Sequence, residues 1–250
     1  MHILGINAYH PDSSACIIKD GELIAAVEEE RFLRIKHWAG LPKESIKYCL
    51  KEADIGLEDV DYIALNRDPR ANFYKKIIFT VSKKPSLSLV KNRLSNVFKI
   101  GWMRNTLSKE FSVPEKKIKA KIYNVEHHRA HLASSFFVSP FDKSTIVSLD
   151  GFGDFTSTMV AQGNANRIDV LYEVNYPYSL GLFYTAFTQF LGFKKFGDEY
   201  KVMGLCAYGK PKYASEMGEV LVLKPKGRFV LNLDYFSFYK GKGGMLWDNT

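Results

Sequence analysis

The first thirty residues contain three short β-strand patterns whose connections leave little choice of topology. The apolar stretch at residues 2–7 ends in a turn, and residues 13–30 divide into two strands at Asp20-Gly21. An Asp-Gly pair between strand patterns is a strong signal for a two-residue hairpin. A helix pattern and a fourth strand pattern follow between residues 41 and 68. The sequence therefore predicts an α/β unit that opens with an antiparallel three-stranded sheet.

After residue 142 the same opening order begins again. Residues 144–154 form a strand pattern that ends in a glycine turn, and two more strand patterns precede a long apolar helix with Ser179 as its N-cap. Residues 229–239 form a further apolar pattern, which predicts another strand pair. Two such units are typical of the actin/Hsp70/sugar-kinase class, a duplicated ribonuclease H-like α/β fold. We predict one ribonuclease H-like unit over residues 1–142 and a second over residues 143–250 that is incomplete at its C-terminus.

A segment from about residue 71 to 118 interrupts the first unit and carries the positive charge of the chain. The whole chain has a net charge of +8, whereas thirteen lysines and arginines and two glutamates between residues 75 and 121 give that segment alone +11. The pattern favours an inserted amphipathic helix with a solvated basic face. The alternative is a basic wall over an anionic ligand or nucleic acid, with aromatic residues for stacking. The apolar residues at helical spacing are Leu87, Val90, Leu94, Val97 and Phe98, and the aromatic candidates are Tyr74, Phe98 and Trp102.

Composition excludes several classes of protein. No apolar run approaches the roughly 20 residues that span a bilayer, and the N-terminus lacks the basic and apolar regions of a secretory signal. Cys16, Cys49 and Cys206 are far apart and form neither a disulfide framework nor a CxxC pair. We predict a cytoplasmic protein with reduced thiols and no membrane partner.

Three histidines lie within five positions of a predicted helix. His127 and His131 are four residues apart, so they share one helix face and can reach one ion, whereas His128 is rotated by about 100°. Two neutral imidazoles suit Zn, Fe, Mn or Ni, and Asp150 at the end of the next strand is a candidate third ligand. The alternative is a pair of histidines at the helix surface or the core edge, with no ion.

The turn after Asp150 is a candidate phosphate site. Gly151 and Gly153 allow backbone N–H groups to face an anion, and Asp154 completes the turn. The segment lacks the Lys-Ser/Thr ending of a Walker loop. An ordinary hairpin with two glycines is the alternative.

Two candidate catalytic residues lie in the first unit. His10 is in the turn after the first strand, where a neutral imidazole can act as a general base, although an exposed turn histidine has the same pattern. Lys36 lies in the alternating charge run of residues 28–37, which is either a solvated surface or the edge of a site.

Several of these stretches, in this order, resemble the O-carbamoyltransferases of the nodulation-factor, cephamycin and aminoglycoside type. The stretches are residues 7–15, 28–37, 126–137, 148–154, 179–193 and 199–209. The N-terminal part of that family resembles the tRNA threonylcarbamoyl transferase subunit, which has an actin-like ATPase fold.

The resemblance implies a reaction in two stages. A C-terminal adenylate-forming domain, absent from this chain, makes carbamoyl adenylate from carbamoyl phosphate and ATP with Mg. The N-terminal part binds the adenylate at a divalent metal, usually taken as Fe(II) with Mn or Zn as alternatives, and transfers the carbamoyl group to the hydroxyl of a sugar or natural product. Nucleic acid is not an expected partner.

The resemblance also assigns roles to individual residues. His127, His131 and Asp150 correspond to metal ligands, His10 to a histidine near the acceptor, and Lys36 to a lysine close to the intermediate. Two other functions stay open: a nucleotide-binding regulatory module without chemistry, and an RNA-modifying carbamoyl transferase subunit, which the basic segment favours.

Overall fold

The structure is a computed structural model that describes residues 1–83, 103–240 and 246. The chain forms two compact units. The first comprises residues 1–69 and 91–126, and the second comprises residues 70–90 and 127–250. Residues 127–142 thus group with the second unit; the predicted repeat boundary after residue 142 stays a prediction.

The first unit is built on a five-stranded sheet in the order β3-β2-β1-β4-β5. β1 pairs antiparallel with β2, β2 pairs antiparallel with β3, and β4 and β5 run parallel to β1. This is the ribonuclease H-like order, so the predicted α/β class and the architecture of this unit are confirmed. The strands are β1 (His2–Asn7), β2 (Ser14–Lys19), β3 (Glu22–Glu28), β4 (Tyr62–Leu65) and β5 (Lys121–Asn124).

The turn between β2 and β3 has the predicted hairpin geometry. Asp20 and Gly21 have φ of 53° and 93°, and left-handed backbone at both central residues is what a tight hairpin needs. A two-residue turn fixes the register, so alternate side chains of β2 enter the core. Ala15 and Ile17 are accordingly buried.

Three described helices complete the first unit: α1 (Glu30–Leu33), α2 (Lys43–Glu52) and α4 (Met103–Phe111). The apolar face of α2 carries Ile46, Cys49 and Leu50 into the same core as the strands. Met103 and Leu107 of α4 join this core, and both are almost fully buried.

Glu29 is a buried carboxylate that caps α2 from outside the helix. The side chain of Pro42, the N-cap residue, makes no capping hydrogen bond. Glu29 is 1% exposed and accepts hydrogen bonds from Glu44 N (3.0 Å), Ser45 N (2.8 Å) and Ser45 Oγ (2.7 Å). These bonds satisfy N–H groups that the first turn of a helix leaves unpaired. One member of the predicted charge run is therefore structural.

The second unit contains the antiparallel sheet β6-β7-β8 and a two-stranded sheet of β9 and β10. The strands are β6 (Lys143–Gly153), β7 (Thr156–Asn164), β8 (Arg167–Asn175), β9 (Leu221–Lys224) and β10 (Arg228–Leu231). The unit thus repeats the antiparallel three-stranded opening of the first unit, as the predicted duplication requires.

Five described helices belong to the second unit: α3 (Phe73–Lys83), α5 (His127–Phe136), α6 (Leu180–Phe190), α7 (Glu199–Cys206) and α8 (Ala214–Val220). α5 packs on the sheet through Leu132 and Phe136, which meet Ile146, Met159 and Ala161. Ser179 caps α6 as predicted, because its side chain accepts a hydrogen bond from Leu182 N.

One segment of the second unit differs from its sequence prediction, and one segment of the insert lies outside the described residues. The strand pair predicted over residues 229–239 is wrong, since only β10 is a strand there and its partner is the upstream β9. The side chain of Asn232 accepts a hydrogen bond from Asp234 N and starts a 3-10 turn, which ends the strand. The predicted apolar face from Leu87 to Phe98, together with Trp102, lies outside the described residues.

Candidate metal centre

Helix α5 presents two histidines on one face, as their spacing predicts. Nε2 of His127 and Nε2 of His131 are 3.0 Å apart. The side chain of His127 is 7% exposed, whereas that of His131 is 50% exposed. The pair therefore has one protected side and one side open to a ligand.

Asp150 on β6 joins the two histidines. Its Oδ2 lies 2.8 Å from Nε2 of His127 and 3.8 Å from Nε2 of His131. Within the described ranges, no other three His, Cys, Asp or Glu ligand atoms converge in this way. The structure thus brings together three residues that are separated by up to 23 positions.

The close approach of the two imidazoles has two explanations. Nε2 of a neutral imidazole carries either a proton or a lone pair. If Nε2 of His127 is protonated, it can donate to Asp150 and share the same proton with an unprotonated Nε2 of His131. If both histidines carry a lone pair on Nε2, all three atoms can act as ligands to one cation.

The donor set also fits a first-row divalent ion by type and spacing. Metal–ligand bonds of about 2.0–2.1 Å place neighbouring ligand atoms roughly 3 Å apart. Two imidazoles and one carboxylate with open positions are typical of non-haem Fe(II) sites, and Mn and Zn accept the same ligands. The residues present therefore fit the metal that the resemblance implies.

The carboxylate is held in its ionised, metal-binding form. The hydrogen bond from His127, with a further one from Gly151 N (2.6 Å), holds the pKa of Asp150 well below its usual range, although burial opposes the shift. Without an ion, the hydrogen bond from His127 therefore favours the carboxylate anion of Asp150 over the protonated acid.

His128 has a different environment and forms hydrogen bonds to the sheet. It is fully buried, with Nε2 2.9 Å from the Thr156 carbonyl and Nδ1 2.8 Å from Ser148 Oγ. A carbonyl only accepts, so Nε2 carries the proton and Nδ1 accepts from the serine. Burial first, and then the neighbouring His127, lower the pKa of His128 to about 4. The third histidine is a neutral residue that ties α5 to β6 and β7.

The turn between β6 and β7 contacts the first ligand closely. A β-carbon on Gly153 would lie 2.1 Å from ring atoms of His127, so only glycine fits there. A β-carbon on Gly151 would have nothing within 4 Å. Oδ2 of Asp154 accepts a hydrogen bond from His127 N (3.0 Å). The phosphate-binding roles of Gly151, Gly153 and Asp154 stay predictions.

The N-terminus of α6 lies against the same turn. Ser179 Oγ donates to the Asp150 carbonyl and accepts from Leu182 N, both at 3.0 Å. A β-carbon on Gly181 would be 2.5 Å from Gly151 N, so this glycine allows the helix to approach. The partial positive charge of a helix N-terminus favours an anion nearby.

A carbamoyltransferase family model matches almost the entire chain. The model is described as "Carbamoyltransferase N-terminus" and covers residues 2–245. The chain belongs to this carbamoyltransferase family. The family resemblance drawn from the sequence motifs is confirmed.

Two curated relatives are longer than this carbamoyltransferase-family chain and match it over part of their length. A Synechocystis sp. protein named sll1178 is 39% identical over 247 residues, which are 96% of this chain and 40% of that protein. Nodulation protein NolNO of Sinorhizobium fredii is 37% identical over 206 residues, which are 82% of this chain and 29% of NolNO. The chain therefore spans less than half the length of these relatives.

Among solved structures, YeaZ from Pseudomonas aeruginosa matches 70% of this chain and 67% of its own length, with a TM-score of 0.36 and 14% identity. The fold assignment of this carbamoyltransferase-family chain rests on its strand order. Along the described parts of the chain, no helix has the length and apolar character needed to cross a membrane.

The two other predicted site residues lie in the first unit of the carbamoyltransferase-family chain. His10 follows β1, and its Nδ1 is 3.1 Å from the Pro11 carbonyl. Lys36 is exposed in the loop between α1 and α2. Hydrogen bonds from Tyr9 N to the Gly40 carbonyl (3.1 Å) and from Ser13 N to the Trp38 carbonyl (3.0 Å) join these two loops. The structure thus brings the two loops together, while the three metal-ligand candidates lie in the second unit.

Sequence reasoning missed two residues that fix the position of Asp150. Ser179 was predicted as a helix cap but not as a donor to the Asp150 carbonyl, and Gly181 was not singled out. A glycine at the second position of a helix is unfavourable for helix formation, so its presence signals a close approach. That signal was available in the sequence.

Proposed function

We propose that this chain is the carbamoyl-transferring part of a metal- and ATP-dependent O-carbamoyltransferase. Its substrates would be carbamoyl adenylate, made from carbamoyl phosphate and ATP, and an acceptor hydroxyl on a sugar or natural product. The observation that carries the proposal is the convergence of His127, His131 and Asp150 in a chain of the carbamoyltransferase family.

The reaction replaces the mixed-anhydride bond of carbamoyl adenylate with a carbamate ester bond. The acceptor hydroxyl oxygen bonds to the carbamoyl carbon, and the bond from that carbon to the AMP phosphate oxygen breaks. AMP leaves with the bonding electrons, and the hydroxyl proton passes to a base. The products are the O-carbamoylated acceptor and AMP.

The metal set is proposed to hold the adenylate through its phosphate. A divalent ion, Fe(II) by ligand type with Mn or Zn as alternatives, supplies Lewis-acid stabilisation of the negative charge on the leaving group. His131 and Asp150 are the more exposed ligands, so the approach of a substrate from their side is supported. Mg accompanies ATP in forming the adenylate.

The turn after β6 and the start of α6 are proposed to bind the same phosphate. Gly151 leaves space above its backbone, and Gly181 brings the helix N-terminus against it. Backbone N–H groups and the helix dipole attract an anion at such a position. Gly153 and Asp154 complete the turn.

His10 and Lys36 keep the roles that the resemblance implies. His10 is proposed as the base that takes the proton of the acceptor hydroxyl, and Lys36 as a positive charge near the intermediate. The Pro11 carbonyl only accepts, so the neighbouring Nδ1 of His10 is the donor and Nε2 is the nitrogen that carries the lone pair of a base.

The first experiment measures metal content and transfer together. Wild type, His127→Ala/His131→Ala and the exposed same-helix control Ser134→Ala are loaded with Fe(II) without oxygen and analysed for bound metal. Each is then mixed with the adenylate-forming domain of a longer relative, ATP, Mg and labelled carbamoyl phosphate, with a panel of hydroxyl acceptors. We expect near-stoichiometric metal and labelled product in wild type and control, and neither in the double variant.

Two results would contradict the proposal. A folded double variant that transfers carbamoyl as fast as wild type would exclude a role for the metal set. Wild type that binds ATP but no Fe, Mn or Zn would favour the nucleotide-binding module without chemistry.

A further inference from the structure

The turn at Asp154 and Phe155 has a backbone that its own sequence does not favour. Both residues have left-handed backbone, with φ of 49° and 80°, between the paired residues Gly153 and Thr156. Two-residue hairpins of this kind prefer Asn-Gly or Asp-Gly. A bulky residue is strained in the left-handed region of backbone conformation. Contacts outside the turn must therefore hold Phe155 in place.

Asn72, at the start of α3, contacts the turn from outside. Its Nδ2 lies 3.1 Å from the Asp154 carbonyl and 3.1 Å from Thr156 Oγ1. One amide nitrogen thus donates to acceptors on both sides of the turn. Thr156 is fully buried, which makes the loss of a partner there costly.

Phe79 supplies the second contact from the same helix. Its ring centroid is 5.6 Å from that of Phe155 and 5.2 Å from that of Tyr176. All three side chains are buried in one apolar cluster. Burial of Phe155 among these rings offsets the cost of its left-handed backbone.

The Asp154–Phe155 turn also fixes the position of His127. Asp154 accepts a hydrogen bond from the His127 backbone N–H, and Gly153 lies against the His127 ring. The backbone and the ring of the first ligand are therefore both set by the turn. The hydrogen bonds from Asn72 go to Asp154 and Thr156, and the ring contacts of Phe79 go to Phe155 and Tyr176.

We propose that helix α3 is a positioning element of the metal centre, with Asn72 and Phe79 holding the Asp154–Phe155 turn so that His127 keeps its ligand geometry. This inference rests on the proposed metal site. It assigns a role to the first described part of the basic insert, which is to support the metal centre from outside the set of ligand residues.

The test uses Co(II) alone as a probe, because its visible absorption reports coordination geometry. Asn72→Gly removes the amide while keeping the left-handed backbone at φ 55° without strain. We expect Co(II) affinity to fall by about 10-fold, within the range of about 10–100-fold typical for groups that orient ligands, with an altered spectrum. Tyr74 lies on the same helix and is 80% exposed. Tyr74→Ala should therefore leave the Co(II) affinity and the Co(II) spectrum unchanged.

Two variants of Asp154 distinguish a loss of His127 positioning from a general loss of fold stability. Asp154→Asn keeps an oxygen that accepts the His127 N–H and should retain the wild-type spectrum, whereas Asp154→Ala should match or exceed the loss in Asn72→Gly. Hydrogen exchange at the His127 amide should speed up in Asn72→Gly and Asp154→Ala before any metal is added.

The outcomes are distinct. If folded Asn72→Gly has the Co(II) affinity, the spectrum and the His127 amide exchange of the wild type, the positioning role is wrong. The proposed metal site is not affected by that result. Absence of Co(II) binding in wild type itself would overturn both the metal site and the inference.

Discussion

The imidazole of His127 lies directly against the backbone of Gly153, so closely that a β-carbon at position 153 would be 2.1 Å from two ring atoms. The glycine was predicted as part of a phosphate-binding turn. The contact with the ring is a second reason for glycine at position 153, because any side chain there would displace a candidate metal ligand.

Gly153→Ala is expected to weaken metal binding by about 10–100-fold and to destabilise the fold by about 1–3 kcal/mol from overpacking. Gly151→Ala is the matched control, since its added methyl group meets nothing within 4 Å. Calorimetric titration with Mn(II) and urea unfolding would measure the two effects. Equal metal affinity in the two variants would refute the packing argument.

His128 makes the fold sensitive to mild acid. Its folded pKa of about 4 lies below the unfolded value near 6.5, so the unfolded state binds more protons between these values. Its contribution to stability is complete above pH 6.5 and is lost as pH falls towards 4, by an amount on the order of 2–3 kcal/mol. Urea unfolding from pH 7 to 4 should show a flatter pH dependence for His128→Gln than for wild type. Parallel curves would contradict this assignment.

Glu29→Gln is expected to destabilise the first unit by about 1–3 kcal/mol. The carboxylate accepts three hydrogen bonds in a buried position, and the amide NH₂ group of glutamine would face a donor instead of accepting from it. Glu28→Gln, at a side chain that is 45% exposed, should change stability by no more than about 0.5 kcal/mol. Denaturant unfolding checks the pair, and a loss shared equally by both variants would count against the capping role.

The three cysteines should differ sharply in reactivity. Burial raises the pKa of Cys49 to about 12 and also raises that of Cys16, whereas Cys206 is exposed. The thiolate is the reactive form, so a thiol reagent at pH 7.5 should modify Cys206 and leave Cys49 intact until the protein unfolds. Peptide mass analysis after timed labelling checks the order of modification.

Local patterns were enough to predict the metal candidates. Helical spacing places His127 and His131 on one face, and Asp150 follows a clear strand pattern, so no tertiary information was needed. The hairpin at Asp20-Gly21 was equally local. In each case the physical cause lies within a few residues.

The supporting residues depend on contacts between distant segments. Asn72 and Asp154 are separated by 82 positions, and neither has a sequence pattern that predicts their hydrogen bond. Within the charge run of residues 28–37, nothing in the sequence distinguishes the buried Glu29 from the half-buried Glu28 and Glu30 on either side of it. Such residues were missed because their function comes from packing rather than from spacing.

The convergence of Nε2 of His127, Nε2 of His131 and Oδ2 of Asp150 has a practical consequence for anyone who purifies this protein. Imidazole and carboxylate ligands bind Ni as well as Fe, Mn and Zn, so the proposed site would not by itself select one of these ions. Nickel released from an affinity column would then compete for the proposed site with an ion acquired in the cell. Metal found in such a preparation would then report the resin rather than the biology, so the protein should be isolated without immobilised metal before its native ion is named.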